Sequence, residues 1–366
     1  MKQTKTSAID IINSELSSNI EGLYELIKEN DEKWKRGWEI YNNSMSIPRN
    51  YVTDRQYSGG ATIWDLTFAG LLNPELEGEK RTGYFVTLQQ AHKMGWTIKE
   101  KFRHTKADCK KIAEEINSLV IPLKEGEARE KAKVKRKELI KKYHETKVYY
   151  IVPFFNVKEK YIETDEKDEE GNVVYNVQQS VVTTYYEVYP IEAFNKSKTI
   201  KNRFEIKERP EGLTLELSDI VKEGINTLNK YCERENIKVN QKGTRAFYSL
   251  VSDDITLPKF DDFKTDKDLF ETFAHESVHS TGSAKRLKRF DLTVGTNEEY
   301  SKEELVAESG AMMLSQYFGI LDEKQFKNHI SYLKGYLSHI KTTEQKNSLL
   351  KTMNDADRAV KFIVNQ

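Results

Sequence analysis

Phe270-Glu271-Thr272-Phe273-Ala274-His275-Glu276-Ser277-Val278-His279-Ser280-Thr281-Gly282 is the stretch on which both the fold and the chemistry turn. Its apolar residues Phe270, Phe273, Ala274 and Val278 recur at helical spacing and predict a buried helix. Thr265, with Asp268 three residues on, predicts the start of that helix, and Gly282 its end. Inside it stands the pattern HExxH. Residues i and i+4 of a helix point the same way, so His275 and His279 can reach one tetrahedral Zn²⁺ at about 2.0–2.1 Å, with Glu276 beside the open position. The bland alternative is a surface helix with two unrelated histidines. The apolar flanks argue against it, because two unpaired imidazoles on a buried helix would be costly.

A catalytic zinc wants a third protein ligand. In Glu303-Glu304-Leu305-Val306-Ala307-Glu308, the side chains of Glu304 and Glu308 share a helix face. Glu304 is the expected ligand, with Glu308 accepting a hydrogen bond from a ligand histidine. The helix is expected to start at Ser301, and a competing reading makes Ser301 to Glu304 a capping box and leaves the metal to Glu308. His329 and His339 are further alternatives, more simply read as solvated or packing residues. With one zinc per chain, the ion would acidify a water, Glu276 would take its proton, and the nucleophile would attack a polarised carbonyl. Tyr300 and Tyr248 are candidate oxyanion donors, against the simpler reading that both are packed aromatics. The extended run Ala246 to Leu257 could offer its edge to a peptide or protein substrate.

The rest of the 366 residues sets the frame. Hydrophobic residues make up 37% and charged residues 32%, enough for a packed core under a wet surface. Lys+Arg and Asp+Glu both total 58, so attraction to a polyanion must come from local clustering. Two lone cysteines, Cys109 and Cys232, fit a reducing compartment. The polar first thirty residues, and the interruption of Tyr149 to Phe155 by Pro153, argue against a signal peptide or spanning helix. A cytoplasmic protein with no membrane partner is expected.

Upstream, apolar residues from Ile9 to Ile27 predict an amphipathic helix reaching about Glu39. Aromatic and turn residues follow: Trp34, Trp38, Tyr41, Tyr51, Tyr57, Trp64, Tyr84 and Trp96, interleaved with Arg49, Arg55, Arg81 and Gly59-Gly60. From Arg81 to Lys147 there are 18 Lys/Arg against 9 Asp/Glu, mostly in helical pattern. Tyr149 to Phe155 and Val181 to Tyr189 predict a long β-hairpin with a charged tip. Asn195 to Gly212 is the candidate linker between an N-terminal unit, residues 1–205, and a C-terminal unit, residues 213–366. In the latter, Leu215 to Glu233 reads as helix, and two or three helices follow the one at Ser301. The class is α+β.

These residues resemble the ArdC-type antirestriction proteins. The zinc helix, Arg286-Leu287, Glu303 to Ala311, the run Ala246 to Ser249 with Asp254-Ile255 and Leu257-Pro258, and the tail from His329 to Ala359 resemble that family's metallopeptidase domain. Pro48, Asn50, Thr53, Tyr57, Gly59-Gly60, Thr87, Gln90-Ala91 and Gly95-Trp96 look more loosely like its single-stranded-DNA-binding domain. A long lysine-rich insertion replaces the family's basic glycine-containing segment, the acidic hairpin is extended, and a proline near the early tryptophans is missing. The resemblance implies a zincin-like, gluzincin-type peptidase domain behind a mixed α/β DNA-binding domain, carried by a plasmid, phage or other mobile genetic element. Trp38, Arg55, Tyr57, Gly59, Gly60 and Arg81 are then the expected contacts to single-stranded DNA, by base stacking and backbone tracking. The competing reading makes the tryptophans core residues and the lysine excess a solvated helix face. Two other functions stay open: a peptidase acting on a host-defence or element protein with the N-terminal half as targeting module, and a non-enzymatic binder stapled by structural zinc.

Overall fold

The computed structural model describes residues 7–29, 48–73, 75–76, 79–122, 125–167, 173–196, 217–290, 297–339 and 343–365. The N-terminal half holds helices α1 (Ala8–Glu29), α2 (Gly60–Leu72), α3 (Leu88–Lys93), α4 (Thr105–Ser118) and α5 (Glu127–Thr146). Among them run strands β1 (Arg49–Asn50), β2 (Glu75–Leu76), β3 (Glu79–Lys80), β4 (Tyr84–Val86), β5 (Thr97–Ile98), β6 (Tyr150–Lys167), β7 (Val173–Pro190) and β8 (Phe194–Asn195). The C-terminal half holds α6 (Leu217–Arg234), β9 (Lys238–Gln241), β10 (Phe247–Ser249), β11 (Asp254–Leu257), α7 (Asp266–Thr281), α8 (Asn297–Phe318), α9 (Glu323–His339) and α10 (Thr343–Val364).

The expected hairpin is present and longer than the sequence pattern: β6 and β7 are 18 residues each and pair antiparallel. Their base joins a four-stranded sheet of order β1-β4-β7-β6. The lysine-rich segment forms α4 and α5, as its spacing predicts. Its surface lysines pair largely with nearby acids, as in Lys131–Glu127 and Lys133–Glu130.

In α1 the residues Ile12, Leu16, Ile20 and Leu23 fall on one stripe and are fully buried. The helix ends at Glu29, short of the expected Glu39; residues 30–47, with Trp34, Trp38 and Tyr41, lie outside the described residues. The next element departs from the sequence reading. Gly60–Leu72 is a helix apolar nearly all round, and such a helix belongs in the interior. Trp64 stacks on Phe68 at 5.3 Å, and both are fully buried.

The core that receives these helices is not divided at the 205/213 boundary. Ile12, Leu16, Trp64 and Phe68 share one hydrophobic cluster with Phe270, Phe273, Phe326 and Met353 from the second half. Polar groups tie the same helices together: Glu21 pairs with both Arg136 of α5 and Lys334 of α9, Asn13 accepts from the Leu350 amide at 2.9 Å, and Asn19 donates to Asp65. The linker candidate falls mostly on residues 197–216, outside the described residues. No helix among the described residues is long and apolar enough to cross a membrane.

Candidate metal centre

The zinc-type motif sits where the local chemistry dictates. Thr265 caps α7, its hydroxyl accepting from the Asp268 amide at 3.1 Å and donating to the Asp268 carboxylate at 2.9 Å. Phe270, Phe273, Ala274 and Val278 bury one side of the helix completely. His275 and His279, only partly buried, also stand beside α8, next to Glu304. Gly310 of α8 lets the helices close: a Cβ there would stand 2.8 Å from a Val278 methyl group.

α8 begins at Asn297, so Ser301 lies inside the helix and cannot be its N-cap; the capping-box reading of Ser301 and Glu304 fails on that ground. Glu304 is the glutamate that comes beside the two imidazoles. His275 Nε2 and His279 Nε2 are 3.1 Å apart, and the Glu304 oxygens lie 3.4 Å from the latter and 3.6 Å from the former. A tetrahedral centre with ligand distances of about 2.0–2.1 Å spaces its ligand atoms about 3.3 Å apart, so these three side chains have the spacing for one small divalent ion. They are the group among the described residues able to hold a metal, each offering one atom within 4.8 Å of the others.

Electrostatics fit the same cation. Burial works to lower the His279 pKa, but hydrogen bonding and attraction from Glu303 and Glu304 prevail and raise it to about 9. The cluster therefore draws positive charge to this point. Glu276, 7% exposed, has its pKa raised by burial, partly offset by the histidines and by a hydrogen bond with the Tyr248 backbone.

The expected supporting residues are placed differently. Glu308 pairs with His329 of α9 at 3.0 Å, one helical turn from Glu304. The carboxylate on the far side of His279 is Glu303, whose Oε1 is 3.5 Å from Nδ1. Adjacent helical residues do not share a face, which is why the sequence reading passed over Glu303. Here one imidazole stands between the two side chains, so neighbours in sequence reach its opposite nitrogens. Arg289 donates to both Glu303 oxygens, at 2.7 and 3.1 Å.

Tyr248 lies on β10, the outer strand of the sheet β10-β11-β9, beside α7. Its hydroxyl gives its single proton to Asp253 at 2.7 Å and accepts from Arg286 at 3.1 Å, so in this arrangement it has none for an oxyanion. Burial pushes the phenol up to about 12. The side chains of Tyr300 and His339 lie outside the described residues.

The nucleic-acid candidates divide sharply. Trp38 is outside the described residues. Arg81 is buried, donating to the Asn73 carbonyl at 2.9 Å and the Tyr150 hydroxyl at 3.2 Å. Tyr57 is buried, edge-on to Phe85, and its hydroxyl accepts from Asn50. Gly60 serves packing: a Cβ would stand 1.9 Å from the Met353 carbonyl oxygen, so α2 meets α10 at backbone contact. Gly59, at φ 91°, supplies the turn into α2. Arg55 is exposed.

Residues 226–351 match the protein family described as Zincin-like metallopeptidase (MPTase-PolyVal). The chain is similar in fold to the crystal structure of the antirestriction protein ArdC from the R388 plasmid in its Mn(II)-bound form, with a TM-score of 0.50 at 17% identity, over 96% of this chain and 97% of that one. Two Escherichia coli proteins named DNA primase TraC are each 30% identical over 122 and 120 residues, 33% of this chain but 8% and 11% of those proteins. The chain thus matches only about a tenth of the length of these curated relatives.

Proposed function

We propose that the chain is an ArdC-like antirestriction protein of a mobile element, which binds single-stranded DNA and carries a zinc-dependent peptidase site. The observation that carries the second half of this reading is the convergence of His275, His279 and Glu304 within 4.8 Å, inside a segment matching zincin-like metallopeptidases. The first half is supported by the fold shared over 96% of the chain with an antirestriction protein, and by the local similarity to proteins named as DNA primases.

His275, His279 and Glu304 would hold the ion. When bound there, zinc supplies Lewis acidity for hydrolysis of a carbonyl. Glu276 follows the first histidine of the motif with a carboxyl that burial makes more basic than usual, suited to accept a proton from an attacking water and return it to a leaving amine. Glu303 orients His279 from behind. β10 offers its outer edge, with Phe247 46% exposed, to an extended peptide by backbone pairing. A general base has no task in a purely structural metal site, which favours the hydrolytic reading over zinc as a staple.

The test is Glu276→Gln in the full chain, with zinc content, peptide cleavage and protection of single-stranded DNA from restriction read in parallel. The reading expects zinc to stay stoichiometric and cleavage to vanish. Cleavage at the wild-type rate would remove Glu276 as the base, and equal affinity for single and double strands across a salt series would remove the DNA half.

A further inference from the structure

We propose that Arg289 is a positioning residue of the metal centre: by fastening α7 to α8 through Glu303 it sets the affinity of the site for its ion. The proposal rests on the reading of His275, His279 and Glu304 as metal ligands.

Arg289 follows α7 in a loop that folds back on the helix end, its own amide donating to the Gly282 carbonyl at 2.9 Å. Its side chain is only 7% exposed and donates four hydrogen bonds. Two go to α7: to the Val278 carbonyl at 2.8 Å and the Thr281 hydroxyl at 2.7 Å. Two go to Glu303 of α8, at 2.7 and 3.1 Å. The last carbonyls of a helix need partners from outside it, and here the guanidinium serves Val278. The planar fork of arginine can meet a carboxylate with two parallel donors while its remaining hydrogens point elsewhere. One group therefore fixes the distance between the helix that carries both histidines and the helix that carries the glutamate ligand.

Glu303 is the link to the metal. Its carboxylate is held between the Arg289 guanidinium, through both oxygens, and the His279 imidazole. A Glu303 oxygen placed 3.5 Å from Nδ1 is an acceptor for that nitrogen and favours the His279 tautomer that leaves Nε2 free to bind a cation. Without Arg289, Glu303 would be a buried carboxylate with fewer partners and freedom to turn. Lysine would not reproduce it, since an ammonium has three donors and no planar fork, against the four bonds made here. The neighbouring Arg286 shows a different use of the same loop: it is 1% exposed and joins Ser280 to Asp253 and Tyr248 on the strand side, making none of the contacts to Glu303.

The experiment measures zinc affinity of the full chain by competition with a chromophoric chelator, and the visible absorption of the Co²⁺-substituted protein, for wild type, Arg289→Lys, Glu303→Gln and the double variant. Each single variant is expected to bind zinc about 10–100-fold more weakly, as loss of groups behind a ligand histidine commonly does. Each should also alter the Co²⁺ spectrum, and the double variant should be no weaker than the weaker single, because the two residues act as one link. Wild-type affinity and spectrum in Arg289→Lys would overturn the proposal. So would losses in the double variant that multiply. A merely structural arginine would lower the melting temperature of the zinc-free protein and leave the affinity alone. Should Arg289→Lys fail to fold, Glu303→Gln decides: unchanged zinc affinity there overturns the link. Absence of zinc binding in the wild type is a separate result that removes the metal-site reading itself.

Discussion

Residues 265–310 and residues 48–102 both carry side chains that the sequence marks out for function, and the structure treats them in opposite ways. In the first region His275, His279 and Glu304 meet around one point. In the second, Trp64, Trp96, Tyr57 and Arg81 are buried in packing and internal hydrogen bonds. The difference lies in the kind of signal. HExxH is a statement of direction, because i, i+4 on a helix fixes where two imidazoles point. A run of aromatics and arginines is a statement of composition, and composition does not say which face of which element a residue occupies. Large aromatics bury most area and are the default material of a core.

The comparison would break most visibly if the two regions were independent units. Trp64→Ala removes a fully buried indole from the core shared with α10, and should cost about 3–5 kcal/mol. Gly60→Ala should be as damaging, since its methyl group meets a backbone carbonyl that has no room to move. Urea unfolding followed by tryptophan fluorescence should coincide with unfolding followed by far-ultraviolet circular dichroism, and Trp64→Ala should shift both midpoints together. A second-half transition left in place would show that residues 213–366 fold on a core of their own.

At the metal centre, His279→Ala should weaken zinc binding more than the roughly hundredfold ceiling for residues behind a ligand, measured by chelator competition. His329→Ala, which removes only the partner of Glu308, should change it far less. Equal losses would move the site one turn along α8, to the arrangement with Glu308 as ligand.

How much of this was legible follows from the same contrast. The zinc helix with its cap at Thr265, the hairpin, the helices of the lysine-rich segment and the choice of Glu304 rest on periodicity and spacing, which are local. α2 was not legible, because a helix apolar on every side has no stripe to read. β9, at four residues, is too short for alternation to show, whereas the extended run Ala246 to Leu257 was legible and is divided by a turn into β10 and β11. Glu303 and Arg289 were missed because their roles depend on where α8 lies against α7, which no local pattern encodes. Arg286 and Arg289, three apart beside an HExxH helix, were the available trace.

A third test uses pH. Burial raises the pKa of Asp65 from 3.8 to about 8, opposed by the hydrogen bond from Asn19. The folded state then holds a proton that the unfolded state has lost between those values, so its contribution to stability is full below pH 4 and falls by up to about 1.4 kcal/mol per pH unit until pH 8. Lys147 is lowered by burial to about 7, and has the opposite sign above that pH, with stability rising as the unfolded lysine keeps its charge. Below the titration of Lys147, between pH 5 and 7, Asp65→Asn should flatten the decline in urea midpoint in part. Glu271, raised by burial to about 7, contributes a decline of the same sign that this variant leaves in place. A slope identical to wild type would show Asp65 ionised in the fold.

The smallest effect separates surface from interior in the N-terminal half. Arg55 is exposed and Arg81 is 7% exposed with its guanidinium committed to Asn73 and Tyr150. A residue that neutralises a phosphate contributes to the salt dependence of binding, about 0.7 to the slope of log K against log salt for a single strand. Arg55→Ala should reduce that slope by about this amount for single-stranded DNA, with no change in melting temperature beyond about 1 °C. Arg81→Ala should do the reverse, lowering the melting temperature while leaving the slope of the folded protein unchanged, because removing it strands buried acceptors rather than a phosphate contact. If Arg81→Ala altered the slope at constant stability, Arg81 would have to leave its internal partners to reach DNA, and the N-terminal half would use its composition after all by a rearrangement of β6 against α2.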